Sequence, residues 1–203
     1  MSAIRNLTYA SSIKVLLNTS ERFWETKYGI IGGASQMDLV NRQVYYPSDN
    51  ATVSKERSSG PLKSVNAQFQ RFAKKSISDS EVSHGAGVLV GSYCWGQDAR
   101  RLGGLEPQAR VDVVVEAIAN IHPEIIEKGM VKEHASMFWD ENKYAGAAFS
   151  FMRPGDFSSY YVDTIKPEGN LFFAGEHCSL DNGWIQGAII SSLRAVENLV
   201  ERP

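Results

Sequence analysis

The residues best arranged for chemistry lie near the C-terminus, in Leu171-Phe172-Phe173-Ala174-Gly175-Glu176-His177-Cys178 followed by Asn182-Gly183-Trp184-Ile185-Gln186-Gly187-Ala188. An apolar strand delivers Gly175, whose missing side chain permits close approach of the backbone to a bound group. Glu176 follows at once, a carboxylate able to accept hydrogen bonds from ribityl or ribose hydroxyls. A helix starting near Gly183 would turn free N–H groups and the positive end of its dipole toward an electron-rich ring edge. There they would stabilise negative charge, such as the charge that builds on the pyrimidine edge of a flavin accepting a hydride. Gly187 and Ala188 keep the first turn thin. The same pattern is equally that of a plain strand, turn and amphipathic helix closing a domain, and these residues alone leave both readings open.

Other chemistries lack their residues. There is no G-x-S-x-G elbow, H-E-x-x-H pair, EF-hand loop or P-loop. Gly85-Ala86-Gly87-Val88-Leu89-Val90-Gly91 approaches a dinucleotide fingerprint, but Val90 stands where the third glycine belongs, and the segment precedes a strand instead of following one. His84, His122 and His134 are scattered singly and read as surface or satisfied histidines. His177, Cys178 and Asp181 do not make a metal site, because two adjacent ligands cannot easily share one tetrahedral centre. No metal is expected, and no catalytic side chain is assigned.

These residues need elements to position them. Ile13 to Asn18 reads as a strand, as does Arg42 to Tyr46, which stops at Pro47; Gly29, Gly32 and Gly33 mark a turn between them. From Ser48 to His84 the composition shifts to Ser, Asn, Lys and Gly-Pro, a long excursion that is expected to be the least ordered segment. Gly87 to Tyr93 is a near-continuous apolar run of the kind found in buried strands. Pro107 opens a helix carrying Val111, Val114, Val115 and Ile118, and Val131 to Trp139 is extended. Lys143 to Asp163 is rich in aromatics and has no clear period. A strand over 170–174 and a helix with Ile185, Ala188, Ile189, Leu193 and Val196 on one stripe complete the chain.

Composition narrows the partners. With 43% hydrophobic and 22% charged residues, the 203-residue chain of 22.5 kDa is a globular protein and not a disordered or membrane-spanning one. Its 21 Lys+Arg against 23 Asp+Glu give a net charge of -2, which argues against nucleic acid as a partner. Cys94 and Cys178 have no ligand spacing and are expected as free thiols in a cytoplasmic protein. The N-terminal apolar run is too short for a signal peptide or a membrane span.

Taken in order, several blocks carry a resemblance. Phe172 to Val200 resembles the C-terminal flavin-binding signature of the flavin monoamine oxidase and L-amino acid oxidase family. Lys14 to Leu17 through Phe23-Trp24, Gly29 to Gly33, Arg42 to Pro47, Tyr93 to Ala99 and Trp139 to Gly146 look like consecutive blocks of the family's substrate half. The resemblance implies an α+β fold: a mixed-sheet substrate domain over 1–165, including the excursion 48–84, and the C-terminal strand and helix of an FAD-binding domain over 166–203. The family's N-terminal glycine-fingerprint part is missing.

By resemblance, Tyr46 contacts the substrate carboxylate, with a core aromatic of the strand as the alternative. Phe149 and Trp184 wall the substrate site, and Gly183 offers its carbonyl to the substrate amine. Trp139 packs beside the flavin, with Tyr144 of the same block on the cofactor side. Gly175 and Glu176 bind the FAD chain, and Gly183, Trp184 and Ile185 meet the flavin edge. Ala148 stands where some relatives attach flavin through cysteine, which implies a non-covalent cofactor. The implied activity is oxidation of an L-amino acid by FAD and O2 to 2-oxo acid, ammonia and peroxide, together with an N-terminal half or subunit and self-association. Two alternatives remain: an amide-forming flavin monooxygenase, and a non-catalytic remnant that self-associates.

Overall fold

A computed structural model of the chain describes residues 2–48 and 85–201; of the excursion 48–84, residues 49–84, with the expectation that it is the least ordered segment, lie outside the described residues. In chain order the described helices and strands are α1 (Ser2–Asn6), β1 (Thr8–Ala10), β2 (Ser12–Thr19), α2 (Phe23–Thr26), β3 (Ala34–Gln36), β4 (Gln43–Tyr45), β5 (Gly87–Trp95), α3 (Gly96–Gly103), α4 (Pro107–Ala119), β6 (Val131–Phe138), β7 (Phe149–Phe151), α5 (Asp156–Ile165) and α6 (Ile185–Val200). Helices combine with open, largely antiparallel sheets, as expected for the α+β class.

Contacts divide the chain into two compact units. The first comprises Met1–Ile13, Trp95–Arg100 and Phe138–Pro203, and the second Lys14–Cys94 and Arg101–Met137. These units differ from a division at residue 165 because the N-terminal segment folds with the C-terminal one. Helix α1 packs on α5, and β1 pairs antiparallel with β7 in the register Thr8↔Phe151, Tyr9↔Ser150 and Ala10↔Phe149.

The second unit is built on a five-stranded sheet in the order β3-β4-β5-β2-β6. Along β2, Val15, Leu17 and Thr19 are buried while Lys14 is exposed, the alternation of a strand covered on one face. Strand β5 behaves the same way: Leu89 is enclosed and Val88 faces outward, so the strand is not buried on both faces as its apolar run implied. Helix α4 covers the packed face. It opens with Pro107 in the first turn, where the missing N–H has no bond to lose. Its Val114 and Ile118 approach Gly91 so closely that a Cβ there would sit 3.0 and 3.2 Å from their methyl groups. Phe23, Trp24, Val44 and Ile125 complete this core.

One expectation fails in the first unit. Residues 170–174 form no strand; Leu171 makes a single bridge to Glu168, and an extended segment without a neighbouring strand gains no ladder. The stretch without a period contains α5, whose aromatic and β-branched residues are poor helix formers. The helix is started by its own Asp156, whose carboxylate accepts the Arg153 N–H at 2.9 Å and Arg153 Nε at 3.1 Å. The backbone bond first, and then the guanidinium, holds this carboxyl below its ordinary range.

Candidate active site

The geometry of the site grows from the chain reversal at Gly175. Its φ of 142° lies where side-chain-bearing residues rarely go, and a Cβ would meet the His177 ring at 2.6 Å. The reversal is tied to α6 by the buried Ser191 hydroxyl, which accepts the Gly175 N–H at 2.9 Å and lies 2.7 Å from the Gly175 carbonyl. Arg194 of the same helix donates to the Cys178 carbonyl. Cys178 is a buried free thiol, pushed above its usual pKa by burial, that donates to the Thr164 carbonyl at 3.0 Å.

Glu176 is the centre of a dense network. Its Oε1 accepts the Ser150 N–H at 2.8 Å, and Oε2 accepts the Ser150 hydroxyl at 2.8 Å and the Gly183 N–H at 2.7 Å. Asn182 Nδ2 donates to Ser150 Oγ at 2.9 Å and to the Glu176 carbonyl at 3.2 Å. A carboxylate has about four acceptor positions, so these donors leave room for about one more. Tyr9 lies beside this network, its hydroxyl pKa raised by burial and by the charge of Glu176.

Beyond the network stands the face that can meet a ligand. Gly183 has φ 77°, and a Cβ there would sit 3.3 Å from the Phe149 ring. Trp184 and Ile185 are 71% and 80% exposed. No side chain caps α6, so its first-turn amides have no intrahelical partner and its positive dipole end is uncovered. The Trp184 N–H already points at the Asp181 carbonyl, 3.3 Å away. Ile185 therefore offers the first available donor. Gly187 is required here: a Cβ would come within 2.3 Å of the Asp181 carbonyl oxygen. Uncapped amides beside exposed aromatic and aliphatic groups fit the flat, electron-rich edge of a flavin.

Thus Gly175, Glu176, Phe149, Gly183, Trp184 and Ile185 come together around one turn. Trp139 and Tyr144 stand on a turn of their own, also in the first unit. Asp140 anchors it by accepting the Ser11 hydroxyl at 2.6 Å, and Arg100 Nε donates to Ser11 Oγ at 2.8 Å. Ser150, Asn182 and Ser191 are the residues that sequence reasoning missed. The Asn182-Gly183 step is a turn signal, whereas nothing local marks Ser150 or Ser191.

Tyr46 belongs to the second unit. It is 5% exposed, and its hydroxyl lies 2.7 Å from His122 Nε2 and 2.8 Å from Ser35 Oγ. His122 is itself buried, ringed by Phe23, Tyr28 and Tyr46, with no hydrogen-bond partner at Nδ1. Burial lowers its pKa and raises that of Tyr46. A substrate carboxylate would have to displace Ser35 or His122 to reach this hydroxyl. Among the described residues no group of three or more His, Cys, Asp or Glu could hold a metal, and no helix is long and apolar enough to cross a membrane.

Comparison with known proteins gives this geometry a family. A flavin-dependent L-tryptophan oxidase, RebO, of Lentzea aerocolonigenes is 34% identical over 199 residues, covering 97% of this chain and 36% of that protein. A putative L-amino-acid oxidase, YobN, of Bacillus subtilis is 30% identical over 201 residues, covering 99% and 35%. The chain thus spans about a third of the length of these relatives. Among solved structures, a putrescine oxidase bound to putrescine shares the fold with a TM-score of 0.65 at 16% identity, covering 96% of this chain and 36% of that one. Cyclohexylamine oxidase from Brevibacterium oxydans gives 0.63 at 15%, covering 95% and 36%. The model of the flavin containing amine oxidoreductases, whose cofactor is FAD, matches residues 1–200, and the chain belongs to that family.

Proposed function

We propose that this chain supplies the substrate pocket and the flavin-edge contacts of an FAD-dependent L-amino acid oxidase, which converts an L-amino acid to 2-oxo acid, ammonia and hydrogen peroxide. The observation that carries the reading is the uncapped start of α6, with Trp184 and Ile185 exposed beside Phe149 and Gly183. The relatives named as L-tryptophan and L-amino-acid oxidases support the amino acid as substrate class.

Bound FAD would supply the acceptor for a hydride from the substrate Cα and the route of the electrons to O2. The chain's own residues do the rest by binding and orientation. The Ile185 amide and the dipole of α6 favour negative charge on the ring edge. Phe149 and Trp184 exclude water from the reacting centre, and the Gly183 carbonyl accepts from the substrate amine. Gly175 admits the cofactor chain, Glu176 offers its remaining acceptor position to a cofactor hydroxyl, and Trp139 and Tyr144 pack on the cofactor side. Ala148 carries no nucleophile for a tether, so the flavin is held non-covalently. Tyr46 serves the substrate carboxylate if its hydroxyl leaves Ser35 or His122. In functional terms 1–165 is the substrate-binding part and 166–203 the flavin part.

The ADP portion of FAD needs a glycine fingerprint that this chain lacks, so we assign it to an N-terminal half or subunit. The protein is cytoplasmic and self-associates. The test is to purify the chain, alone and co-expressed with an N-terminal half from a relative, denature it and measure released flavin fluorescence. Flavin release from the pair is expected, with peroxide and 2-oxo acid formed from L-amino acids. No flavin in either preparation overturns the proposal, and amide with CO2 as products replaces the oxidase by a monooxygenase.

A further inference from the structure

Each member of the Glu176 network is the sequence neighbour of a residue placed at the candidate site. Ser150 follows Phe149, Asn182 precedes Gly183 and Trp184, and Glu176 follows Gly175. The network joins three segments: strand β7, the short turn Glu176–Cys178, and the turn before α6. Strand β7 pairs with β1 through the register centred on Tyr9↔Ser150, yet the Ser150 N–H goes to the Glu176 carboxylate. A carboxylate therefore takes the place of a further strand at this point, and charge-assisted bonds of this kind are short and strong.

Ser150 is 1% exposed, and its hydroxyl both donates to Glu176 and accepts from Asn182. No alanine or valine at this position could do both. Glu176 in turn draws the Gly183 N–H inward, which fixes the Gly183 peptide against the Phe149 ring. With three donors already on its carboxylate, Glu176 acts chiefly on the protein itself.

We propose that Ser150 and Asn182 are positioning residues which, through Glu176, clamp β7 to the turn before α6 and hold Phe149 on Gly183, fixing the wall of the substrate pocket. The inference rests on the oxidase reading for the identity of the substrate, but not for the clamp. Loss of the clamp frees the Gly183 amide and lets the Phe149 ring drift. Substrates with large side chains, which use the aromatic wall most, then lose more than small ones.

The test uses Ser150→Ala, Asn182→Ala and the conservative Ser150→Thr, which keeps the hydroxyl. In the 203-residue chain, amide exchange at Gly183 is expected to accelerate about tenfold or more in both alanine variants. The nuclear Overhauser contact between the Phe149 ring and Gly183 Hα should disappear, and Ser150→Thr should restore both. In the flavin-loaded oxidase, KM for an aromatic L-amino acid should rise about tenfold, with a smaller change for L-alanine and a smaller change in kcat. Unchanged exchange at Gly183 in both alanine variants overturns the clamp. Faster exchange with KM equally affected for both substrates, or with no threonine rescue, reduces it to a general stabilising contact and overturns the positioning role. If the wild-type pair binds no flavin or oxidises no amino acid, the oxidase reading fails, while the amide and ring contacts still decide the clamp. Should Ser150→Ala not fold, Asn182→Ala, which leaves Ser150 on Glu176, gives the same two readouts.

Discussion

The two units bury their apolar residues in opposite ways. In the second unit Phe23, Trp24, Val44, Leu89, Val114 and Ile118 are completely enclosed. In the first, α6 turns the small residues Gly187 and Ser191 inward and leaves Ile185, Ile189, Leu193, Val196 and Val200 exposed. The second unit closes its own core, so its stability comes from apolar burial. Helix α6 is held instead by polar bonds, Ser191 to Gly175 and Arg194 to Cys178, while its apolar side is laid out for something else to cover. A family member spanning about a third of its relatives' length fits that asymmetry.

The largest effect should come from emptying the closed core. Trp24→Ala or Phe23→Ala is expected to cost about 3–5 kcal/mol, read as a shift in urea midpoint. A loss below 1 kcal/mol would mean that the second unit is not the independent core described above. Next is Gly187→Ala, whose Cβ would strike the Ser179 hydroxyl and the Asp181 carbonyl; about 1–3 kcal/mol is expected. Its counterpart Gly91→Ala meets only side-chain methyl groups and should cost less, so a reversed order would break the comparison.

Tyr46→Phe removes the hydroxyl between Ser35 and His122 and should cost about 1–2 kcal/mol. Measured on the flavin-loaded oxidase, an unchanged KM would return Tyr46 to a purely structural place in the core, whereas a raised KM at unchanged fold supports the carboxylate role.

A smaller, pH-dependent effect follows from His122. Burial lowers its folded pKa below the ordinary 6.5, with the Glu124 charge pulling the other way. As pH falls through 6.5 the unfolded chain takes up a proton that the folded chain refuses, so stability present above that value is lost below it. Urea midpoints at about pH 7.5 and about pH 5.5 should differ in wild type and converge in His122→Gln. Tyr46 and Tyr28, both pushed up, and Glu124, held down, face this group, so none of them changes charge in that window. Smallest of all, Leu193→Ala should change stability by less than about 0.5 kcal/mol in the isolated chain, because this side chain is 66% exposed. A large loss would show that the α6 stripe is already covered.

Local sequence revealed the elements with strong periodicity or terminal signals. Pro107 and the valine spacing located α4, and the β-branched run located β2. It failed at α5, where aromatic residues outweigh a helix start built by Arg153 and Asp156, and at 170–174, where strand composition found no partner strand. The site divides in the same way. Gly175, Glu176 and Gly183 were legible because glycine and carboxylate carry their own chemistry. Ser150, Asn182 and Ser191 were not, because a serine or asparagine takes its role from what is placed opposite it.

By itself the sequence determined the family, the cofactor class and the residues beside the turn, since ordered blocks and glycine positions are local properties of the chain. Only the tertiary structure decided that Glu176 spends most of its acceptor capacity on Ser150 and Gly183, that the Tyr46 hydroxyl is held inside a core, and that α6 presents its large apolar side chains outward. Those facts depend on which distant segments meet, and the free energy of burying or pairing a group is fixed only when its neighbours are.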